Sequence, residues 1–252
     1  MDFGEEFHGK RVVVTGASGV MGRAFVDHFA GAGATVCSAD RSTEGLSGFA
    51  VAADLTTDEG LQTLLDAVKA EWGAPDVVVN NAGIYPSAFL LDMSVEDWDR
   101  IMGVNVRAPF VLMRGFALQM IEKGVAGSFI NISSGAARKM RRTAVTYCMS
   151  KTALDRMTKG FALELAEYGI RVNCLEPGFA AGSSVSQLSQ EHIDRVTKGI
   201  PLGHTTQPED VGQAALYLAS SAAKNVTGTS LAVDGGNSAG TMDVFQDKKR
   251  AL

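Results

Sequence analysis

The 252 residues, 46% of them hydrophobic, are enough for one large α/β domain with a sizeable core. A formal charge of −5 and a pI near 5.4 supply no positive field for nucleic acid or an anionic membrane, so neither partner is expected. No apolar run reads as approaching the length of a bilayer span, and Met1 to Glu6 carry acid where a secretory leader carries base, so a cytoplasmic protein is expected.

Cys37, Cys148 and Cys174 lie far apart with no CxxC pair, and His8, His28, His192 and His204 are scattered, so buried free thiols and no metal site are expected. Short β-branched runs alternate with longer amphipathic ones, the pattern of strands and crossover helices in a doubly wound parallel sheet. Strands are predicted at Arg11–Thr15, Thr35–Ala39, Phe49–Ala52, Asp76–Asn80, Ser128–Ile132, Ile170–Leu175 and Leu231–Val233. Helices are predicted over Val20–Ala30, Asp58–Trp72, Val95–Ile121, Thr146–Ala166 and Glu209–Ser220, with Ser94 and Asp97 placed as an N-cap pair.

The first strand runs directly into Gly16-Ala17-Ser18-Gly19-Val20-Met21-Gly22. Glycines allow a tight turn and close backbone approach, and the helix N-terminus that follows presents N–H groups to a pyrophosphate. The alternative is a glycine turn that only packs strand on helix. Asp40 ends the second strand, where an acid accepts hydrogen bonds from the adenosine ribose and repels a 2′-phosphate, so NAD is expected over NADP. Arg41 pulls toward NADP, while Ser18 offers no second cation within the glycine loop.

Asp54-Leu55 follow the third strand and Asn80-Asn81-Ala82-Gly83 the fourth, at the sheet edge where ligands bind; both are also ordinary turn sequences. Ser133-Ser134 end the fifth strand, and Arg138-Lys139-Met140-Arg141-Arg142 leads on to Tyr147-Cys148-Met149-Ser150-Lys151. Tyr147 and Lys151, four apart on a predicted helix, share a face. A phenol titrates near 10, and a neighbouring ammonium lowers that by roughly 1–3 units, so Tyr147 is a candidate acid/base; a surface pair is the alternative. The cation run reads either as a receptor for an anionic substrate or carrier, or as solvated or interface charge. Tyr85, Phe89, Met140 and Phe179 are candidate apolar walls, and residues 179–201 read as a substrate flap.

From Lys10 to Gly236 the chain resembles the short-chain dehydrogenase/reductase family, through the glycine loop, Asp54, Asn80–Gly83, Asn105, Ser134, Tyr147, Lys151, Pro177-Gly178, Pro208-Glu209-Asp210 and Asp234-Gly235-Gly236. The resemblance implies a single-domain Rossmann fold, a doubly wound seven-stranded parallel sheet with helices on both faces. It also implies an NAD(P)-dependent oxidoreductase interconverting a secondary alcohol and a ketone.

In that pattern Tyr147 moves the proton, Ser134 steadies the substrate oxygen, and Lys151 binds the nicotinamide ribose and favours ionised Tyr147. Asn105 holds a water, Asp54 and Asn81 contact the adenine and ribose side, and Pro177-Gly178 joins the cofactor site. A homotetramer through the helices after the fourth and fifth strands is likewise implied. Two departures stand out. Gly16, Gly19 and Gly22 follow a Gly-x-x-Gly-x-x-Gly spacing, and Gly182 occupies the position of a carboxamide-holding threonine, leaving Ser183 or Ser184 as substitutes. The glycine spacing keeps a non-redox epimerase or dehydratase open as an alternative, and fold alone leaves a nucleotide-sensing protein open.

Overall fold

The central strands Arg11–Thr15, Val77–Asn80, Ser128–Ile132 and Arg171–Pro177 are short and buried on both faces, so they must be covered by helices above and below. The computed structural model describes residue 3, residues 5–180 and residues 189–242. Among them, β1 (Arg11–Thr15), β2 (Thr35–Asp40), β3 (Phe49–Ala52), β4 (Val77–Asn80), β5 (Ser128–Ile132), β6 (Arg171–Pro177) and β7 (Ser230–Val233) form one parallel sheet. Its order is β3-β2-β1-β4-β5-β6-β7. The register pairs Val13 with Cys37 on one side and with Val78 on the other. The chain leaves β1 toward β2 on one side and resumes at β4 on the other, and this reversal opens a crevice at the carboxyl ends of β1 and β4.

The helices are α1 (Val20–Gly31), α2 (Asp58–Trp72), α3 (Val95–Met102), α4 (Ala108–Lys123), α5 (Val145–Leu165), α6 (Gln190–Thr197) and α7 (Pro208–Ala219). Period-two alternation along β1 and β4 divides the core. Val13 and Val78 face a cluster containing Leu61, Leu64, Phe116 and Phe129, whereas Val12, Val14, Val77 and Val79 face Phe25, Phe29 and Val211. Helices therefore cover both faces, as expected. Fully burying each of these phenylalanines contributes about 1.5–3 kcal/mol of transfer free energy.

The single helix expected over Val95–Ile121 is interrupted. A π-helical turn at Gly103–Arg107 separates α3 from α4 and carries Asn105. Ser94 does cap α3, its Oγ accepting from Asp97 N at 3.0 Å. The continuous stretch Val95–Lys123 also corrects the reading that no apolar run approaches spanning length, since its 29 residues suffice by length and composition. Half of its most apolar window is buried in the protein, with Leu112, Met113, Phe116 and Met120 in the core, as in a core helix. Helix α6 falls inside the expected flap, of which residues 181–188, with Gly182, Ser183 and Ser184, lie outside the described residues.

Candidate active site

At the crevice the glycine loop is packed too closely for side chains. Gly16 has φ +64°, and a Cβ there would lie 2.9 Å from Ala82 Cα; a Cβ on Gly22 would lie 2.0 Å from Gly16 O. Gly19 is the N-cap of α1, no side chain caps the helix, and its first turn, starting at Val20 and Met21, holds no acid. A positive helix end with no side-chain cap and no acid in its first turn is an arrangement that receives phosphate oxygens.

The loop is fastened to the end of β4. Thr15 Oγ1 accepts from Asn81 N at 3.0 Å and Ala82 N at 3.1 Å, and Asn81 Nδ2 donates to Thr15 O at 2.9 Å and Gly16 O at 3.0 Å. The amide nitrogen of Asn81 thus holds the loop, a positioning role the sequence reading did not assign. Thr15 was likewise missed; the available signal was a hydroxyl placed directly before the first glycine.

Asp40 stands beside this loop, its Oδ2 accepting from Ser18 N at 3.0 Å and Ser18 Oγ at 2.6 Å. Arg41 N donates to its other oxygen at 2.7 Å. A second cation overlooked in the sequence is Arg23, whose Nε donates to Ser18 O at 2.9 Å. Asp54 Oδ1 accepts from Thr56 N at 2.9 Å and Thr56 Oγ1 at 2.7 Å. Those two bonds hold its carboxyl below the ordinary range, with the charge of Arg41 assisting. Leu55, expected at the cofactor, places its side chain in the core with Leu61 and Leu64.

At the ends of β5 and α5 the second group assembles. Ser134 follows β5, with its Oγ accepting from Ala136 N at 3.2 Å, and its hydroxyl lies near enough to Tyr147, in the first turn of α5, to lower the phenol. Lys151, one turn on, is buried with Nζ donating to Ile132 O at 2.7 Å and lying 5.7 Å from the centre of the Tyr147 ring. Burial pushes its ammonium down to about 8. Asn105 Oδ1 accepts from Ile84 N at 2.9 Å, while Nδ2 donates to Ile84 O at 2.9 Å and Ser150 Oγ at 3.0 Å. Ser150 Oγ in turn donates to Tyr147 O at 2.7 Å. A Cβ on Gly83 would sit 3.5 Å from both Asn105 Oδ1 and Lys151 Nζ, so these three residues converge. The π turn, with its added residue, supplies the local geometry that brings Asn105 here.

One expectation changes. Burial raises Tyr147 above its ordinary value; Ser134 and then Arg141 oppose the rise, and Lys151 is not among the groups that lower it. The Lys151 ammonium is bonded to a carbonyl and lies over the ring face.

Pro177 ends β6, and Gly178 N donates to Val233 O at 2.9 Å. A Cβ on Gly178 would lie 2.5 Å from Thr206 Oγ1 and 2.6 Å from Asp234 Cα, so glycine is required where β6, β7 and the segment before α7 meet. Of the four expected wall residues, Tyr85 packs edge-on against Tyr147 at 6.0 Å, and Phe89 is half exposed nearby in sequence. Phe179 instead lies against His192 of α6, and Met140 is largely exposed.

A family model described as enoyl-(acyl carrier protein) reductase matches residues 16–238. The human (3R)-3-hydroxyacyl-CoA dehydrogenase is 36% identical over 244 residues, covering 89% of this chain and 94% of that protein. A short-chain dehydrogenase from Leptospira borgpetersenii with bound NAD+ superposes with a TM-score of 0.87 at 28% identity, covering 94% of this chain and 96% of the other. A gluconate 5-dehydrogenase from Burkholderia cenocepacia, in complex with NADP and tartrate, superposes at 0.86 with 31% identity, covering 94% and 98%. NAD and NADP are thus both bound among the relatives. The crevice, the Ser134–Tyr147–Lys151 group and these likenesses agree: the chain belongs to the short-chain dehydrogenase/reductase family, as an NAD(P)-dependent oxidoreductase acting on CH–OH groups.

Proposed function

We propose that the enzyme interconverts a secondary alcohol and a ketone with NAD(H), using Tyr147 to move the hydroxyl proton. The observation that carries this reading is the buried Lys151, one turn along the same helix from Tyr147, with Nζ 5.7 Å from the centre of the tyrosine ring. A nicotinamide cofactor fits the residues present, because the α1 N-terminus has no side-chain cap and the glycine loop has no room for Cβ atoms. Gly16, Gly19 and Gly22 with Val20 and Met21 would hold its phosphates, Asp40 its adenosine ribose, Asp54 and the Asn81–Gly83 turn its adenine side, and Lys151 its nicotinamide ribose. When bound, the group supplies the hydride donor or acceptor.

Ser134 orients the substrate oxygen and donates to ionised Tyr147, which favours release of the phenolic proton. Asn105 anchors the end of a proton path running by way of Lys151. Asp40, already bonded to Ser18, places a carboxylate where a 2′-phosphate would be repelled, which supports NAD over NADP. A homotetramer is part of the proposal, supported by Phe110, Leu118 and Leu163 exposed on α4 and α5. So is a cytoplasmic location, supported by three buried free thiols.

The test is a panel of secondary alcohols and ketones with NAD(H) and NADP(H), read by nicotinamide absorbance and repeated with Tyr147→Phe. Turnover should fall roughly 10²–10⁴-fold in the variant with NADH affinity within about twofold. Full turnover in the variant would remove Tyr147 from the chemistry.

A further inference from the structure

The four cations between Ser134 and Tyr147 do not act as one patch. Arg138 turns toward β6 and β7: its Nε meets the buried Glu176 carboxylate at 2.8 Å, and its Nη2 donates to Ser230 O at 3.3 Å. Lys139 Nζ donates to Asn237 O at 2.5 Å, beyond β7. Arg141 and Arg142 take the other direction. Arg142 lies over the Phe89 ring, its Cζ 5.3 Å from the centroid. Arg141 begins a turn closed by Ala144 N donating to Arg141 O at 3.1 Å, three residues before Tyr147. Neither has an ion-pair partner among the described residues, in a chain whose acids outnumber its bases 28 to 23.

The turn is built against local preference and clamped in place. Thr143 has φ +69°, a left-handed conformation that a β-branched residue rarely adopts. Its carbonyl accepts from Ala88 N at 2.9 Å, which ties the arginine turn to the loop carrying Tyr85 and Phe89. Tyr85 packs on Tyr147, so the loop that meets the tyrosine is the same one that Thr143 fastens to the arginine turn and that carries Phe89 beneath Arg142. Two cations consecutive in a strained turn, without an ion-pair partner among the described residues, gain most from an oxyanion, which guanidinium binds through paired N–H donors. The field of Arg141 already reaches the phenol, since it is among the groups that lower Tyr147.

We propose that Arg141 and Arg142 form a receptor for an oxyanion on the substrate, so that the preferred substrate is a secondary alcohol or ketone bearing a carboxylate or a phosphate. The assignment rests on the hydride-transfer reading above. Phe89, beneath Arg142, sets the orientation of one guanidinium and presents an apolar surface to the carbon chain between the anion and the carbinol.

Two matched pairs separate the anion sources: acetoacetate against methyl acetoacetate, and dihydroxyacetone phosphate against dihydroxyacetone, each with NADH. At least one anion should exceed its neutral partner tenfold or more in kcat/KM. That ratio should fall at least tenfold in Arg141→Gln and in Arg142→Gln, and hold in Lys139→Gln, whose side chain points away. Ratios near one in both pairs, or ratios kept in both arginine variants, would overturn the proposal. Malonate and inorganic phosphate titrated into the enzyme–NADH complex by calorimetry supply a readout free of turnover. Binding lost in the Arg141→Gln, Arg142→Gln double variant supports the receptor even if no ketone is reduced, in which case the hydride-transfer reading alone fails. Absence of binding by either anion to the wild-type complex counts against the receptor itself.

Discussion

The two halves of the crevice are built by different means. On the β1–β4 side the cofactor loop is shaped by backbone: glycines where a Cβ would strike Gly16 O or Ala82 Cα, and a helix end without a side-chain cap. On the β5–β6 side the proposed reacting group and its surroundings are positioned by side chains that reach distant parts of the chain: Asn105 to the Ile84 backbone and Ser150, Lys151 to the Ile132 carbonyl, and Arg138 to Glu176. Backbone shape is encoded locally, so a short motif suffices to mark it. Side-chain networks are encoded only by the fold that brings their members together.

Breaking each half should therefore fail differently. Arg138→Met leaves the Glu176 carboxylate buried without its cation, and the half-exposed arginine places the cost at the lower part of the usual range, about 2–4 kcal/mol. Denaturant unfolding should record that loss, with kcat falling as the segment after Ser134 loosens; Arg138→Met as stable as wild type would show that the pair holds nothing. Gly22→Ala attacks the other half, where the added methyl meets a carbonyl at 2.0 Å. Forcing it in costs about 1–3 kcal/mol, so NADH affinity should drop roughly 10- to 100-fold in a fluorescence titration. An unchanged dissociation constant would mean the loop adapts freely.

Asp40→Ala sharpens the comparison within the cofactor half. It removes a charge-assisted acceptor, and the NAD/NADP ratio of kcat/KM should fall about tenfold. A constant ratio would take the choice away from Asp40 and give it to Arg23 and Arg41.

A pH-dependent effect concerns Lys151, whose folded pKa of about 8 lies below the ordinary 10.5 because of burial. Between those values the unfolded chain binds the proton and the folded one does not, so this residue's contribution to stability rises with pH from about 8 to 10.5. At neutral pH its buried charge is a cost. Unfolding midpoints of wild type and Lys151→Met should therefore converge or cross as pH rises through that window. Parallel curves would show that burial does not perturb the lysine.

The order of strands and helices, the glycine loop, Asp40 and the Ser134–Tyr147–Lys151 spacing were legible without coordinates, because each depends on a local period or on a backbone conformation that particular residues permit. Other features were hidden. The π turn that brings in Asn105 leaves no mark in a hydrophobic pattern, since one extra residue in a long apolar helix changes the period too little to notice. Leu55 shows the converse, a residue assigned to the ligand by its place after a strand whose side chain the fold assigns to the core.

Sequence alone thus determined the architecture and pointed to the proposed reacting group, since both follow from neighbours along the chain. Tertiary structure alone decided how the group is charged and what surrounds it. Burial, not the Lys151 ammonium, dominates Tyr147, and packing alone turned Arg138 and Lys139 toward β7, laid Arg142 over Phe89 and left Arg141 within electrostatic reach of the tyrosine. Desolvation and the direction of a side chain depend on everything packed around it, which no window of sequence contains.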